Sequence, residues 1–298
     1  MIKNFVQLKE RLKNMPVKRR VAVAPAQDLH TLQAVMQAAK DGIVIPVLIG
    51  KKAEILQIFQ AIKADAANTE IINEDDPVVA IQKAADLAKE GKVDCVMKGK
   101  TETGTFMKVM VNKEHGIRKN ETMSIVAFME SPHYHKVFAI TDVGLLMYPT
   151  KEQKLAALHN AVAAFHALGI AEPKIAVITA VEKVNPKMPE TVEAAEIKAI
   201  GVPGSIIEGP ISYDLAMDAE AAKIKGYQSP VAGDADILLM KDIVCGNVAA
   251  KTITVIGGGK TGGVVLGAQV PILLVSRAAT ASDKYMSIVM AALVGRCI

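Results

Sequence analysis

The sequence has no tryptophan, and aromatic residues make up only 4% of its 298 positions. Because 51% of the chain is nevertheless hydrophobic, the core must be built from Ala, Val, Ile, Leu and Met, the material of helices packed on a parallel sheet. Cysteine is scarce. Cys95, Cys245 and Cys297 are an odd number without metal-ligand spacing. That excludes a disulfide framework and fits a reducing cytoplasm, with Cys95 read as a small core residue. No apolar run reaches bilayer length; those around residues 264–275 and 286–294 are too short or interrupted, so no membrane partner is expected. Met1-Ile2-Lys3-Asn4 lacks the apolar stretch of a secretory signal, and a cytoplasmic location is expected. One-sided charge is missing too: 35 basic and 31 acidic residues give +4 overall, and they are interspersed. Lys18-Arg19-Arg20 precedes an apolar run and reads as a solvated strand entry, not a nucleic-acid patch. The mild basic balance suits ligands that carry phosphates.

What is present is alternation. The length implies about two domains with ample core. A helix over residues 4–13 precedes a strand at 21–24 that stops at Pro25. Asp28 caps a helix whose inner face is Leu29, Leu32, Val35, Met36 and Ala39, and Gly42 closes it. A strand at 43–49, a helix through Ile55, Ile58, Phe59 and Ile62, a helix from Asp75-Asp76-Pro77 to Gly91 and a strand at 93–97 follow. Residues 124–129 and 136–140 read as strands joined across Ser131-Pro132-His133, a candidate domain crossing. The second series is a helix at 151–168 closed by Gly169, a strand at 175–180 and a helix at 190–200. Residues 205–208 and Gly209-Pro210 then lead into a helix near Ser212. A strand at 237–240 follows, and the turn Cys245-Gly246-Asn247 opens another helix. This rhythm predicts βαβ units and a parallel sheet.

Several stretches carry possible chemistry. Val270 to Arg277 reads as a buried strand ending in a hydroxyl (Ser276) and a guanidinium (Arg277), with Asp283 at the mouth of the next helix. In open α/β sheets ligands bind beyond the carboxyl ends of strands, where helix N-termini also point, so Ser276, Arg277 and Asp283 could hold an anion and move a proton. The plainer reading makes Ser282 a helix cap, Asp283 a dipole complement and Arg277 a solvated charge. Residues 98–105 place two lysines, three threonines and two glycines after a strand, either a loop that wraps a phosphate or a polar surface loop. Residues 257–263 tempt a P-loop assignment, but the glycine required five positions before Gly259 is Thr254. Gly262-Gly263 would also weaken the helix that motif needs by roughly 1 kcal/mol per glycine. His133 and His135 have no third ligand candidate and are read as solvent-exposed, so no metal is expected.

Taken together, Met97-Lys98-Gly99, residues 181–189 (Val181 to Pro189), Glu208 to Asp214, Ile237 to Met240 with Asp242 and Gly246-Asn247, and the run from Gly257 to Arg277 resemble the phosphate acetyl/butyryltransferase family, its butyryl branch above all. The similarity covers nearly the whole chain in order. It implies a two-lobed, three-layer α/β/α fold like the isocitrate and isopropylmalate dehydrogenases. One lobe would comprise residues 1–131 and 264–298, the other 132–263, with the active site in the cleft between them. The implied reaction moves a short-chain acyl group between coenzyme A and inorganic phosphate to give an acyl phosphate, without a metal or organic cofactor. The implied assembly is a homo-oligomer, a dimer at least.

The family's catalytic serine-arginine pair falls on Ser276-Arg277 and its catalytic aspartate on Asp283. Substrate-binding candidates are Lys98, Lys100, Asp214, Gly246, Asn247 and Lys260. This sequence departs from the acetyl branch, which carries Asp-Cys where Asp142-Val143 stands here. That branch's further anion-binding arginines also lack counterparts: Arg118 is the only arginine between Arg20 and Arg277, which turns attention to lysines. Acetyl transfer, or a non-catalytic module that binds coenzyme A or acyl phosphate for regulation, are the alternatives.

Overall fold

The computed structural model describes residues 1–15, 18–119, 122–275 and 279–295. It divides into two compact units, Phe5–Glu121 with Gly262–Ile298, and Met1–Asn4 with Thr122–Thr261. In chain order the first series is α1 (Phe5–Lys13), β1 (Arg19–Ala24), α2 (Leu29–Lys40), β2 (Val44–Gly50), α3 (Lys52–Ile62), β3 (Glu70–Asn73), α4 (Pro77–Lys89), β4 (Cys95–Lys98) and α5 (Thr103–Met110). The middle series is β5 (Ser124–Glu130), β6 (Phe138–Thr141), α6 (Lys151–Ala167), β7 (Lys174–Ile178), α7 (Pro189–Ile200), β8 (Ile206–Ile211), α8 (Tyr213–Met217), α9 (Ala219–Ile224), β9 (Ile237–Leu239) and α10 (Ile243–Val255). β10 (Lys260–Leu266), β11 (Ile272–Leu273) and α11 (Ala281–Val294) complete the chain.

In the unit built from the two ends of the chain, the strand order is β3-β2-β1-β4-β11-β10. All its pairs are parallel except β10 with β11. The chain winds outward from β1 to β2 and β3, then returns to the other side of β1 as β4. Right-handed crossovers make that reversal a topological switch point, with a crevice at the carboxyl ends of β1 and β4. Val21, Ala22, Val23 and Ala24 are fully buried, as a central strand covered on both faces must be. Cys95 is also fully buried, and burial pushes its thiol well above its ordinary range; it is a core residue. α2 and α11 pack on each other, with α1 against α11. Asp28 and Asp76 cap α2 and α4, and Pro77 opens α4, so the start signals act where the sequence placed them.

The middle unit carries the order β5-β6-β9-β7-β8, antiparallel only between β5 and β6. β5, placed by the sequence in the other lobe, hydrogen-bonds to β6 and belongs here. Phe128 packs 5.5 Å from Phe165 of α6. Lys136 is buried but bonded to Asp234 at 2.8 Å and Asp236 at 2.7 Å, and Asp234 also accepts from Lys174 and His135.

Four local expectations change. β8 runs straight through Gly209-Pro210; it lies at the edge of this unit's sheet order, where a missing donor is tolerated. Residues 245–247 are not a turn but lie inside α10, which Asp242 caps by accepting from Val244 and Cys245. β11 is only two residues long. Thr280, not Ser282, caps α11.

Candidate active site

The switch-point crevice is built from two turns. The chain leaves β1 and reaches Asp28, whose Oδ1 accepts from the Thr31 amide at 2.8 Å and from Thr31 Oγ1 at 2.5 Å. The chain leaving β4 is pressed onto that first turn: Gly99 N donates to Ala24 O at 3.1 Å and Lys100 N to Pro25 O at 2.9 Å. A Cβ on Gly99 would lie 1.9 Å from Pro25 O, so only glycine lets these backbones approach this closely.

Between them lies a cavity of about 320 Å³, lined by Asp28, Lys98, Lys100, Glu102, Val275 and Lys284 together with Gly99 and Thr101. Lys98 and Lys284 are 6% and 5% exposed. Lys98 Nζ donates to the carbonyls of Gly99 (3.4 Å) and Thr101 (3.1 Å). Lys284, reaching in from α11, donates to Asp28 Oδ1 at 3.1 Å and Thr31 Oγ1 at 3.2 Å. Burial pushes the Asp28 carboxyl up, but the bonds from Thr31 and Lys284 outweigh it and hold it below its ordinary value. Asp28 is thus ionised at neutral pH. Three lysines face two carboxylates across the cavity, and the balance favours an anionic guest. α5 starts at its rim with Glu102 as N-cap, whose side chain makes no capping bond; the first amides of α5 therefore lack that partner.

Asp283 sits one residue before Lys284, at the third position of α11. Its Oδ2 accepts from Thr280 N at 3.1 Å and Thr280 Oγ1 at 2.8 Å, while its own amide donates to Thr280 Oγ1 at 3.1 Å. This reciprocal capping box explains why Thr280 displaces Ser282 as the cap: the acid must stand three residues beyond the hydroxyl. Ser276 and Arg277 lie outside the described residues.

Of the substrate-binding candidates, Lys98 and Lys100 share this cavity. Lys98 is anchored; Lys100 is exposed, 3.9 Å from Glu54. The other four belong to the middle unit and have local partners there. Asp214 accepts from Ser212 Oγ at 2.5 Å and pairs with Lys225 at 3.0 Å; these bonds, Ser212's first, lower its carboxyl. Ser212 also reaches Glu182. Lys260 pairs with Glu130 at 2.9 Å. Gly246 and Asn247 hold the loop after β6: a Cβ on Gly246 would lie 2.1 Å from Asp142 O, and Asn247 Nδ2 donates to Val143 O at 3.0 Å. That loop is organised by Asp142, which is 4% exposed and accepts from the amides of Ile125, Gly144, Leu145 and Leu146. Burial raises the Asp142 carboxyl against those four donors. The histidine pair separates: His135 bonds Asp234 at 2.8 Å, while the His133 amide donates to Ser131 Oγ. Among the described residues no group of three or more His, Cys, Asp or Glu side chains could hold a metal, and no helix is long and apolar enough to cross a membrane.

Sequence reasoning missed Lys284 and read Asp28 as a cap alone. One signal was available. Lys284 falls on the helical stripe of Ile288, Ala291 and Ala292, all buried, and a cation on an apolar stripe needs a partner.

The family description "Phosphate acetyl/butaryl transferase" matches residues 76–292. A phosphate butyryltransferase of Clostridium acetobutylicum is 42% identical over 99% of both chains. A phosphate acetyltransferase of Thermotoga maritima is 38% identical over 92% of this chain and 94% of that one. Among solved structures, a branched-chain phosphotransacylase from Enterococcus faecalis V583 superimposes with a TM-score of 0.82 at 31% identity, covering 92% of this chain and 99% of that one. A 4-hydroxythreonine-4-phosphate dehydrogenase from Burkholderia phymatum, TM-score 0.55 at 13% identity over 94% and 99%, shares the fold alone.

Proposed function

This chain belongs to the phosphate acetyl/butaryl transferase family, and we propose that it exchanges a short-chain acyl group, butyryl foremost, between coenzyme A and inorganic phosphate. It is an acyltransferase. The observation that carries the reading is the cavity at the switch point, where two buried lysines face a space closed by Val275, the residue that precedes Ser276-Arg277. Such a site suits a small anion held close to reacting groups.

In the direction that consumes acyl phosphate, Asp283 takes the proton from the thiol of coenzyme A. The thiolate attacks the acyl carbon, the carbon–oxygen bond to phosphate breaks, and inorganic phosphate leaves. In reverse, a phosphate oxygen attacks the thioester carbon, the carbon–sulfur bond breaks, and the departing thiolate takes the proton back from Asp283. A positioned base contributes about 10² to 10⁴ in rate. Arg277 balances charge gathering on carbonyl and phosphate oxygens, and Ser276 hydrogen-bonds the leaving group or the thiol; both roles rest on the family resemblance. Much of the remaining acceleration comes from holding two substrates in contact. The same reading makes the protein a cytoplasmic homo-oligomer, at least a dimer, that needs no resident cofactor.

Butyryl is placed first because the butyryltransferase relative matches at 42% and the acetyltransferase at 38%, and because the acetyl branch's Asp-Cys pair is Asp142-Val143 here. One methylene changes discrimination by only about 1–3 kcal/mol, so initial rates with acetyl-, butyryl- and branched-chain acyl-coenzyme A decide the order. The primary test follows free thiol released from butyryl-coenzyme A with and without phosphate. Release that rises with phosphate supports the exchange; release indifferent to phosphate refutes it.

A further inference from the structure

We propose that Tyr285 is a positioning residue for the reaction: through Asp41 and Lys9 it fixes the roll of the first turn of α11, and with it the direction in which Asp283 presents its carboxylate. The inference deepens the acyl-exchange reading and rests on it for Asp283 as the proton acceptor.

α11 is anchored unevenly. Residues 286–294 are all buried, whereas among Ala281, Ser282, Asp283 and Lys284 only Lys284 is. Apolar packing therefore seats the body of the helix and leaves its start to polar bonds. Thr280 and Asp283 cap each other, which closes the first turn on itself. Two side chains then tie this start to α2. Lys284 bonds Asp28 and Thr31 at the N-terminal end of α2. Tyr285 Oη donates to Oδ2 of Asp41, the C-cap of α2, at 2.6 Å.

The separation of those two ties decides what they control. α2 has 12 residues, about 18 Å at 1.5 Å per residue. A single contact lets one helix roll or tilt on another; two contacts at opposite ends of α2 remove that freedom. Asp283 and Tyr285 are two residues apart, so they project about 200° apart round the helix. Holding Tyr285 to α2 thereby turns Asp283 to the opposite side. With the carboxylate about 5 Å from the helix axis, a roll of about 12° displaces it by about 1 Å. A misplacement of that size costs up to about 10²-fold in rate.

The acceptor is itself held. Asp41 Oδ2 also takes Lys9 Nζ of α1 at 2.7 Å, and Oδ1 takes Gln37 Nε2 at 2.8 Å. Lys9 Nζ lies 5.1 Å from the centre of the Tyr285 ring. The Lys9 and Asp41 side chains are 31% and 18% exposed, and an ion pair so open to water adds little to stability. What it does here is fix the oxygen that Tyr285 needs. Burial pushes the Tyr285 hydroxyl up to about 12. Burial also raises the Asp41 carboxyl, but the bonds from Lys9, Tyr285 and Gln37 outweigh it and hold it below its ordinary value. The donor thus stays protonated and the acceptor ionised near neutral pH.

The test is kinetic. Tyr285→Phe keeps the ring and removes only the hydroxyl; Asp41→Ala removes the acceptor. Each should lower kcat for thiol release from butyryl-coenzyme A by about tenfold, inside the 10²-fold ceiling for a 1 Å error. KM for phosphate and for butyryl-coenzyme A should stay within about twofold, and thermal melts should show folded protein at the assay temperature. If Asp41→Ala does not fold, Tyr285→Phe carries the test. Asp41→Asn keeps an oxygen for the hydroxyl and should recover most of the lost kcat.

The double variant Tyr285→Phe/Asp283→Asn separates positioning from a general structural effect. A residue that acts only through Asp283 has nothing left to position, so the double variant should turn over at the rate of Asp283→Asn alone. Losses that multiply overturn the positioning role. So does a Tyr285→Phe kcat within about twofold of wild type while Asp283→Asn is impaired, and Asp283 then stands as the base without it. If Asp283→Asn turns over normally, or wild-type thiol release is indifferent to phosphate, the exchange reading fails and the role of Tyr285 falls with it.

Discussion

Asp283 holds two positions in this account, one visible in the fold and one assigned by the proposed chemistry, and their magnitudes separate them. In the fold it is half of a capping box with Thr280. Thr280→Ala removes the hydroxyl that accepts from the Asp283 amide and donates to its Oδ2. Losing such a cap costs about 1 kcal/mol. Asp283→Asn keeps an oxygen for the Thr280 amide but removes the negative charge from the first turn of α11, about 0.3–1 kcal/mol. For a chain of this size either loss lowers the melting midpoint by about 2–4 °C. Against a native stability of about 5–15 kcal/mol, essentially all molecules stay folded at 25 °C. A purely structural Asp283 therefore predicts near-normal turnover in both variants. A proton acceptor predicts a fall in kcat of about 10² to 10⁴ in Asp283→Asn alone, with Thr280→Ala within about tenfold of wild type. The assay is thiol release from butyryl-coenzyme A at saturating phosphate, run beside thermal melts. Near-wild-type kcat in Asp283→Asn would end the proposed role, and equal losses in the two variants would assign the effect to helix geometry.

Gly246→Ala would ordinarily stabilise a helix interior by roughly 0.5–1 kcal/mol; here, with the new Cβ 2.1 Å from Asp142 O, a loss of about 1–3 kcal/mol is expected in urea unfolding, and a gain would refute the packing role. Gly99→Ala meets Pro25 O at 1.9 Å and should lower both stability and phosphate affinity. Asp234→Asn weakens bonds to Lys136, Lys174 and His135 and should cost about 1.5–3 kcal/mol at pH 7. Burial pushes the Asp234 carboxyl up, but those three partners hold it below its ordinary value of 3.8. Its contribution is therefore complete above about pH 4 and is lost as pH falls toward the folded value. The gap between wild type and Asp234→Asn should narrow only in acid; a gap that closes near pH 7 would contradict the ion pairs.

The alternation of strands and helices was legible because period and punctuation are local. Asp28, Asp76-Pro77 and Gly42 mark their boundaries through the nearest few residues of backbone. β3 escaped notice because it is a four-residue edge strand, with Glu70 and Asn73 exposed and Ile71 and Ile72 only half-buried. The strand through Gly209-Pro210 was hidden because its residues ordinarily break strands, and only its edge position makes them harmless. The start of α10 was misread because Asp242 outcompetes Gly246, four residues beyond the cap.

The candidate site divides in the same way. Lys98 and Lys100 stand next to each other after a strand and could be read as a pair. Lys284 and Asp28 are 256 positions apart, and no spacing rule connects them.

By itself, then, the sequence determined the class of fold, the winding of parallel strands and the family, because those depend on local pattern and on similarity carried along the whole chain. Only the tertiary structure decided that a C-terminal helix brings a buried lysine to the first strand's turn. That pairing exists because the last strand inserts beside β4 and carries α11 onto α2, and such long-range closure leaves no trace in neighbouring residues.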